Sequence, residues 1–234
     1  MADRPATPSF TQAAYEGIRA DVLSCRLRPG EKIVISDLCQ GLGFSLGAIR
    51  EALSRLTSEG LVIAEPRRGF RVSPISEDDL RDLTETRLGI EAQCLLRSIA
   101  AGNIAWESRL VAAHHELSRV PEREPGDPNR VSEGFAAAHG RFHSALVNAC
   151  DSPWLLRLRE ILYDQSERYR RLSVPLAQTD RDLGREHREI MEAALARDGR
   201  RAGALLEDHL NRTTHILLAS YPERIGHRSS LSAA

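Results

Sequence analysis

Apolar residues return every three or four positions between Thr11 and Cys25, where Ala14, Tyr15, Ile18 and Val22 share one face. The first predicted element is therefore an amphipathic helix, stopped by Arg28-Pro29-Gly30. A short second helix is expected from Ser36 as N-cap, with Leu38 and Leu42 turned inward and glycines at 41 and 43 permitting a sharp exit. Ser45 caps a third, Leu46 to Glu59, whose Ile49, Leu53 and Leu56 form one apolar stripe and whose end is marked by Gly60. Two short extended stretches follow, Leu61 to Ala64 and Gly69 to Val72, joined by Glu65-Pro66-Arg67-Arg68 as a hairpin tip. Three helices and a basic hairpin outline a winged helix-turn-helix.

Val72-Ser73-Pro74-Ile75 cannot continue a helix, and Ser76 followed by Glu77, Asp78 and Asp79 reads as a cap with acids at the positive helix end. Beyond it the periodicity is helical throughout, over 77–101, 104–119, 131–149, 153–172, 181–197 and 200–220, with no strand alternation. Segment 121–129 reads as a loop and Arg197-Asp198-Gly199 as a tight turn. The expected organisation is a flexible N-terminus (1–9), a winged helix-turn-helix (10–75), an all-helical antiparallel bundle of six to seven helices (76–221) and a flexible tail (222–234). The fold class is mainly α.

Composition changes this picture little. Hydrophobic residues at 41% and charged residues at 28% are those of a globular chain, and 234 residues exceed the usual size of one domain. No apolar run is long enough for a membrane span and no signal-peptide core is seen, so a cytoplasmic protein without a membrane partner is expected. Cys25, Cys39, Cys94 and Cys150 lie far apart and read as buried thiols. The net charge of −1 divides into +2 for residues 1–75 and −3 for the rest, which permits a nucleic-acid partner for the first part without requiring one.

Candidate chemistry sits at two places. Ser45, Leu46, Gly47, Ala48 and Arg50 fall at the N-terminal end of the third helix, the end that a recognition helix presents to base edges in the major groove. The planar fork of Arg50 suits guanine or phosphate, against the alternative of an ion pair with Glu51. Ser45 is a phosphate donor or only a cap, and Leu46 packs on a thymine methyl or is buried. Arg67, Arg68 and Gly69 form a wing that touches DNA or is a solvated turn. The second place is a histidine set. His139 and His143 are spaced i,i+4, and His187 and His209 lie on two further helices; such imidazoles converge on a metal in some bundles and are merely half-buried polar groups in others. His114, His115, His215 and His227 read as surface or dimer-contact residues. Arg87 faces an effector or pairs with Glu91, and Gln165, beside Tyr169 on the apolar face of its helix, lines a pocket or bonds a neighbouring helix.

The runs Leu27-Arg28-Pro29-Gly30-Glu31-Lys32, Ile49-Arg50-Glu51-Ala52-Leu53-Ser54-Arg55-Leu56, Glu59-Gly60-Leu61-Val62 and Arg68-Gly69-Phe70-Arg71-Val72 resemble the DNA-binding domain of GntR-type regulators. Arg87-Leu88-Gly89-Ile90-Glu91, His139-Gly140-Arg141-Phe142-His143, Glu186-His187-Arg188-Glu189 and the stretch from Arg197 through His209-Leu210 resemble the FCD effector domain of the FadR branch. The resemblance implies a homodimeric transcription regulator, most simply a repressor, that binds double-stranded operator DNA and answers to a small carboxylic acid. It also implies a divalent metal held by an Asp and three His, with His143, His187 and His209 at the His positions and His139 where the Asp is usual. A fourth neutral ligand favours zinc or nickel. Leu46 and Ser36 stand where many members carry Arg. Within the family the chain looks most similar to the carbon-starvation-induced regulator type, which implies a short dicarboxylate. Competing readings are a metal-dependent hydrolase with Glu186 as base, and a constitutive DNA-binding protein whose bundle only dimerises.

Overall fold

The computed structural model describes residues 9–173 and 181–224, and the chain divides into two compact units, 1–76 and 77–234. In the first unit, α1 (Phe10–Leu23) starts at Ser9, whose Oγ accepts from the Gln12 amide at 3.2 Å. β1 (Lys32–Ile33) follows, then α2 (Ile35–Leu42) and α3 (Leu46–Ser58), and the hairpin of β2 (Val62–Glu65) and β3 (Gly69–Val72). Ala14, Ile18 and Val22 of α1 meet Ile49, Leu53 and Leu56 of α3 in a solvent-free core.

Three details differ from the sequence reading. Val34 rather than Ser36 is the N-cap of α2, without a side-chain bond, because the chain is still extended at Ile33 where β1 pairs with Phe70 of β3. That pairing makes the wing three-stranded, in the order β1-β3-β2. Leu61 is not in the hairpin but sealed beneath it, and β2 begins at Val62.

The second unit contains α4 (Glu77–Ala101), α5 (Ile104–Arg119), α6 (Glu133–Val147), α7 (Pro153–Ser173), α8 (Leu183–Leu195) and α9 (Gly199–Arg224). The expected loop at 121–129 holds a small antiparallel hairpin, β4 (Arg123–Glu124) and β5 (Asp127–Val131), turned by Gly126 at φ 90°. Strands this short carry no alternation to read, and the hairpin delays α6 to Glu133, where Ser132 caps it by accepting from the Phe135 amide at 3.1 Å. The tail expected from 222 is helical through Arg224; residues 225–234, with His227, and residues 1–8 lie outside the described part.

Cross-helix contacts give the direction of packing. Asp79, Arg87 and Glu91 of α4 meet Tyr169, Ser166 and Arg159 of α7 in reverse order, and Thr84 meets Thr214 of α9, so α7 and α9 both run antiparallel to α4. Trp106, Phe142, Leu95, Leu110, Leu146 and Ile190 fill the interior, with the Trp106 indole donating to the Ala145 carbonyl at 2.9 Å. None of the four cysteines is in a disulfide; Cys94 and Cys150 are buried, Cys25 and Cys39 half-buried. No described helix is long and apolar enough to cross a membrane.

Candidate functional site

Helix α3 presents its N-terminal end to solvent. Ser45 Oγ accepts from the Ala48 amide at 3.3 Å, and Leu46, Gly47 and Arg50 are exposed. Leu46 is 54% accessible, which removes the burial alternative. Ala48 does not share this face. It belongs to the stripe of Ile49, Ala52, Leu53 and Leu56 packed on α1, because at about 100° per residue it lies one turn before Ala52. Arg50 has no ion pair or hydrogen bond among the described residues, whereas Glu51, its expected partner, accepts from Thr11 at 3.4 Å. Arg55, one turn on, is committed to the fold: its guanidinium lies 3.8 Å over the Tyr15 ring and donates to Gln12 at 2.8 Å. Arg67 and Arg68 are exposed at the wing tip, Arg67 at φ 63° and Gly69 at φ 93°. Replacing Ser45 with Ala should cost about 1 kcal/mol of stability through the lost cap, and Ser45→Gly only a few tenths. Urea unfolding measures this; equal losses in the two variants would leave the cap without energetic weight.

The four histidines are brought together inside the second unit. His139 and His143 come from α6, His187 from α8 and His209 from α9; all are buried, and their candidate ligand atoms lie within 4.8 Å of one another. His139 Nε2 and His143 Nε2 are 3.2 Å apart, close to the roughly 3.4 Å that two nitrogens at 2.0–2.1 Å from a tetrahedral ion would adopt. Burial pushes the imidazoles of His139, His143 and His187 well below their ordinary pKa, and their mutual repulsion adds to it. His209 is lowered by burial too, against the pull of Glu186. Neutral imidazole is the ligating form. His187 Nε2 is buried without a hydrogen-bond partner, as a lone pair awaiting an ion would be.

The outer partners fit the same chemistry. His209 Nδ1 donates to Glu186 Oε2 at 2.8 Å, which leaves its Nε2 lone pair for the interior, and His139 Nδ1 lies 3.3 Å from the Tyr163 hydroxyl. Burial raises the Glu186 carboxyl, but hydrogen bonds from His209 and Arg181 outweigh it and hold the group well below the usual carboxylate range. Arg212 donates to it as well, at 2.9 Å.

Beside the cluster a cavity of about 40 Å³ runs between α4, α6, α7 and α9, with Arg87, Tyr163, His139 and His209 in its wall. Arg87 pairs with Glu91, to which Nε and Nη2 donate at 3.3 and 3.2 Å, while Nη1 donates to Ser166 at 2.8 Å on the cavity side. Glu91, 1% accessible, also receives Arg159 at 3.2 Å through both oxygens. Tyr169 lines the cavity with its hydroxyl donated to Asp79. Gln165 does not line it; half-buried, it accepts from Arg168 at 3.3 Å. Tyr163, Ser166 and Arg170 of the same helix are there instead, and sequence reasoning missed them. Their signal was the 163, 166, 170 spacing of polar groups on one face. His114 is half-buried with its edge on Phe142, and His115 and His215 are exposed.

Residues 10–72 match the family model described as bacterial regulatory proteins, gntR family, and residues 82–212 match the FCD domain. Over 209 residues the chain is 39% identical to the HTH-type transcriptional regulator BphR of Paraburkholderia xenovorans (strain LB400), covering 89% of this chain and 85% of that protein. It is 33% identical over 200 residues to the HTH-type transcriptional repressor GlaR of Escherichia coli (strain K12), covering 84% and 90%. Among solved structures, E. coli McbR/YncC shares the fold with a TM-score of 0.74 at 19% identity, over 92% of this chain and all of that one.

Proposed function

Because the chain belongs to the GntR family of bacterial transcription regulators and carries an FCD domain, we propose that it is a repressor whose grip on operator DNA is set by a small carboxylic acid held beside a metal in the histidine-lined cavity. Its relatives are regulators and not enzymes, and it acts by binding DNA. The observation that carries the sensory half is the convergence of four buried imidazoles on one point at the edge of a cavity that also holds Arg87. An all-nitrogen set of this kind suits zinc or nickel. When bound, the ion supplies a cationic centre for an acid's carboxylate. Glu186 orients His209, the Tyr163 hydroxyl orients His139, and Arg87 offers a guanidinium to the same anion.

Two copies reading half-sites one helical turn apart, about 34 Å, would place paired α3 helices in successive major grooves, with Arg67 and Arg68 reaching backbone or minor groove. The protein works in the cytoplasm, with the DNA. The acid must bind one arrangement of the dimer better than the other, and a coupling of about 1–3 kcal/mol suffices. The test is operator affinity of the metal-loaded protein by fluorescence anisotropy, with a panel of short acids. A several-fold loss of affinity with at least one acid is expected; an operator affinity indifferent to every acid and to chelator would return the bundle to a purely dimerising role. Glu186 is no general base, since His209, Arg181 and Arg212 all occupy its carboxylate. Its exchange, Glu186→Gln, should weaken metal binding about 10- to 100-fold, read by competition with a chromophoric chelator.

A further inference from the structure

The cavity has two unlike poles, and their chemistry restricts the acid. Along α4, Arg87 and Leu80 are seven residues apart, about 10 Å at 1.5 Å per residue. At the Arg87 end stand His139, His209 and Tyr163; at the other end are Leu80 and Leu83 of α4 and Leu217 of α9. Between them the hydroxyls of Thr84 and Thr214 face each other at 2.9 Å.

The hydroxyl donors on the way are already used. Thr84 donates to the Leu80 carbonyl at 2.7 Å, Ser166 to the Tyr163 carbonyl at 2.8 Å, Thr214 lies 3.4 Å from the Leu210 carbonyl, Thr213 lies 3.5 Å from the His209 carbonyl, and Tyr169 donates to Asp79. A hydroxyl has a single proton to give, so among the described residues a second anionic or carbonyl oxygen on the ligand finds no hydroxyl donor past the first pole. The charges point the same way. Arg170 is closed on Glu167 through both oxygens, and the far pole lies at the end of α4 that carries Glu77, Asp78 and Asp79. A second carboxylate there would be buried among leucines beside like charge.

We infer that the effector is a short unbranched monocarboxylate, its carboxylate at the His139–His209–Arg87 pole and a tail of two or three carbons against Leu80, Leu83 and Leu217, rather than the dicarboxylate that family resemblance implied. The inference rests on the acid-sensor reading above and specifies its ligand.

The experiment titrates the full-length, zinc-loaded protein with propionate, butyrate and succinate by calorimetry. Propionate or butyrate should bind at least about 10-fold more tightly than succinate, the discrimination expected where an apolar wall meets an unpaired polar group. Succinate binding as tightly overturns the monocarboxylate assignment and leaves the acid-sensor reading standing. No heat from any acid, with or without zinc, overturns both. Leu83 is half-buried; Leu83→Arg should raise succinate affinity about 10-fold and weaken butyrate, by supplying the missing cation. A folded Leu83→Arg protein with the wild-type ranking would overturn the position given to the tail. Leu83→Phe, which only narrows that pole, should weaken butyrate more than propionate.

Discussion

Arg50→Ala should abolish specific operator binding at physiological salt while leaving the melting temperature of the protein unchanged. The side chain is exposed at the N-terminal end of α3 and no partner within the described chain holds it, so its removal strands nothing in the fold. On DNA, a bidentate contact to guanine is worth about 1–3 kcal/mol, and a dimer loses it at both half-sites, about 2–6 kcal/mol in all. Arg50→Lys keeps the charge but not the fork, so it should recover non-specific and lose specific affinity. Anisotropy with the operator and with a scrambled duplex separates the two. Retained specific affinity in Arg50→Ala would falsify the role given to this residue. Arg55→Ala is the contrasting case: the cation stacked on Tyr15 joins α3 to α1, and its loss should show first in stability.

The second large effect is on the metal. Zinc present at a thousandfold excess over its dissociation constant stabilises the folded form by about 4 kcal/mol. For a protein of this length, 1 kcal/mol moves the midpoint by roughly 2–4 °C, so chelation should lower it by about 8–16 °C. His187→Ala should remove the dependence, because His187 comes alone from α8 and its buried Nε2 is unpartnered. Metal analysis should then fall from one ion per chain to a trace. A chelator-insensitive melt in wild-type protein would sink the assignment, whatever the variant does. His143→Gln provides a shape-preserving second test, since its amide fills the site without an imidazole lone pair.

The long helices were legible because their ends are chemically marked. α4 and α5 run over 77–101 and 104–119 as expected, the first opened by Glu77, Asp78 and Asp79, the second by Asn103 accepting from the Trp106 amide at 3.1 Å. What escaped was structure made by pairing at a distance. β1 is two residues long and exists because Lys32 meets Arg71, nearly forty positions away, and no local period announces that.

The histidine site divides in the same way. His139 and His143 share a face by spacing alone, but His187 and His209 join them only through the packing of three helices, and family resemblance rather than periodicity pointed to them. Gln165 lies beside Tyr169 on an apolar stripe. α7 is apolar on more than one side, and Trp154, Leu158 and Ile161 turn out exposed, so hydrophobicity alone could not say which side meets the cavity. A better signal was Glu91, a carboxylate set among Leu88, Cys94 and Leu95 on the inner face of α4, where an acid needs a cation close by.

That carboxylate has a consequence for how the sensor can move. Glu91 is shared by two guanidiniums, and only Arg87 reaches the cavity. An incoming anion that draws Arg87 away leaves Glu91 neutralised by Arg159, so no lone ion is abandoned in the interior, an event that would cost about 3–5 kcal/mol. What breaks is the pair of Arg87 with Glu91 together with the bond from Arg87 to Ser166, one of the ties between α4 and α7. On the proposed reading, occupancy of the cavity is exchanged for slack between two long rods while Glu91 keeps a cation, which lets a weakly bound metabolite tip a balance that a strongly bound one would otherwise be needed to move.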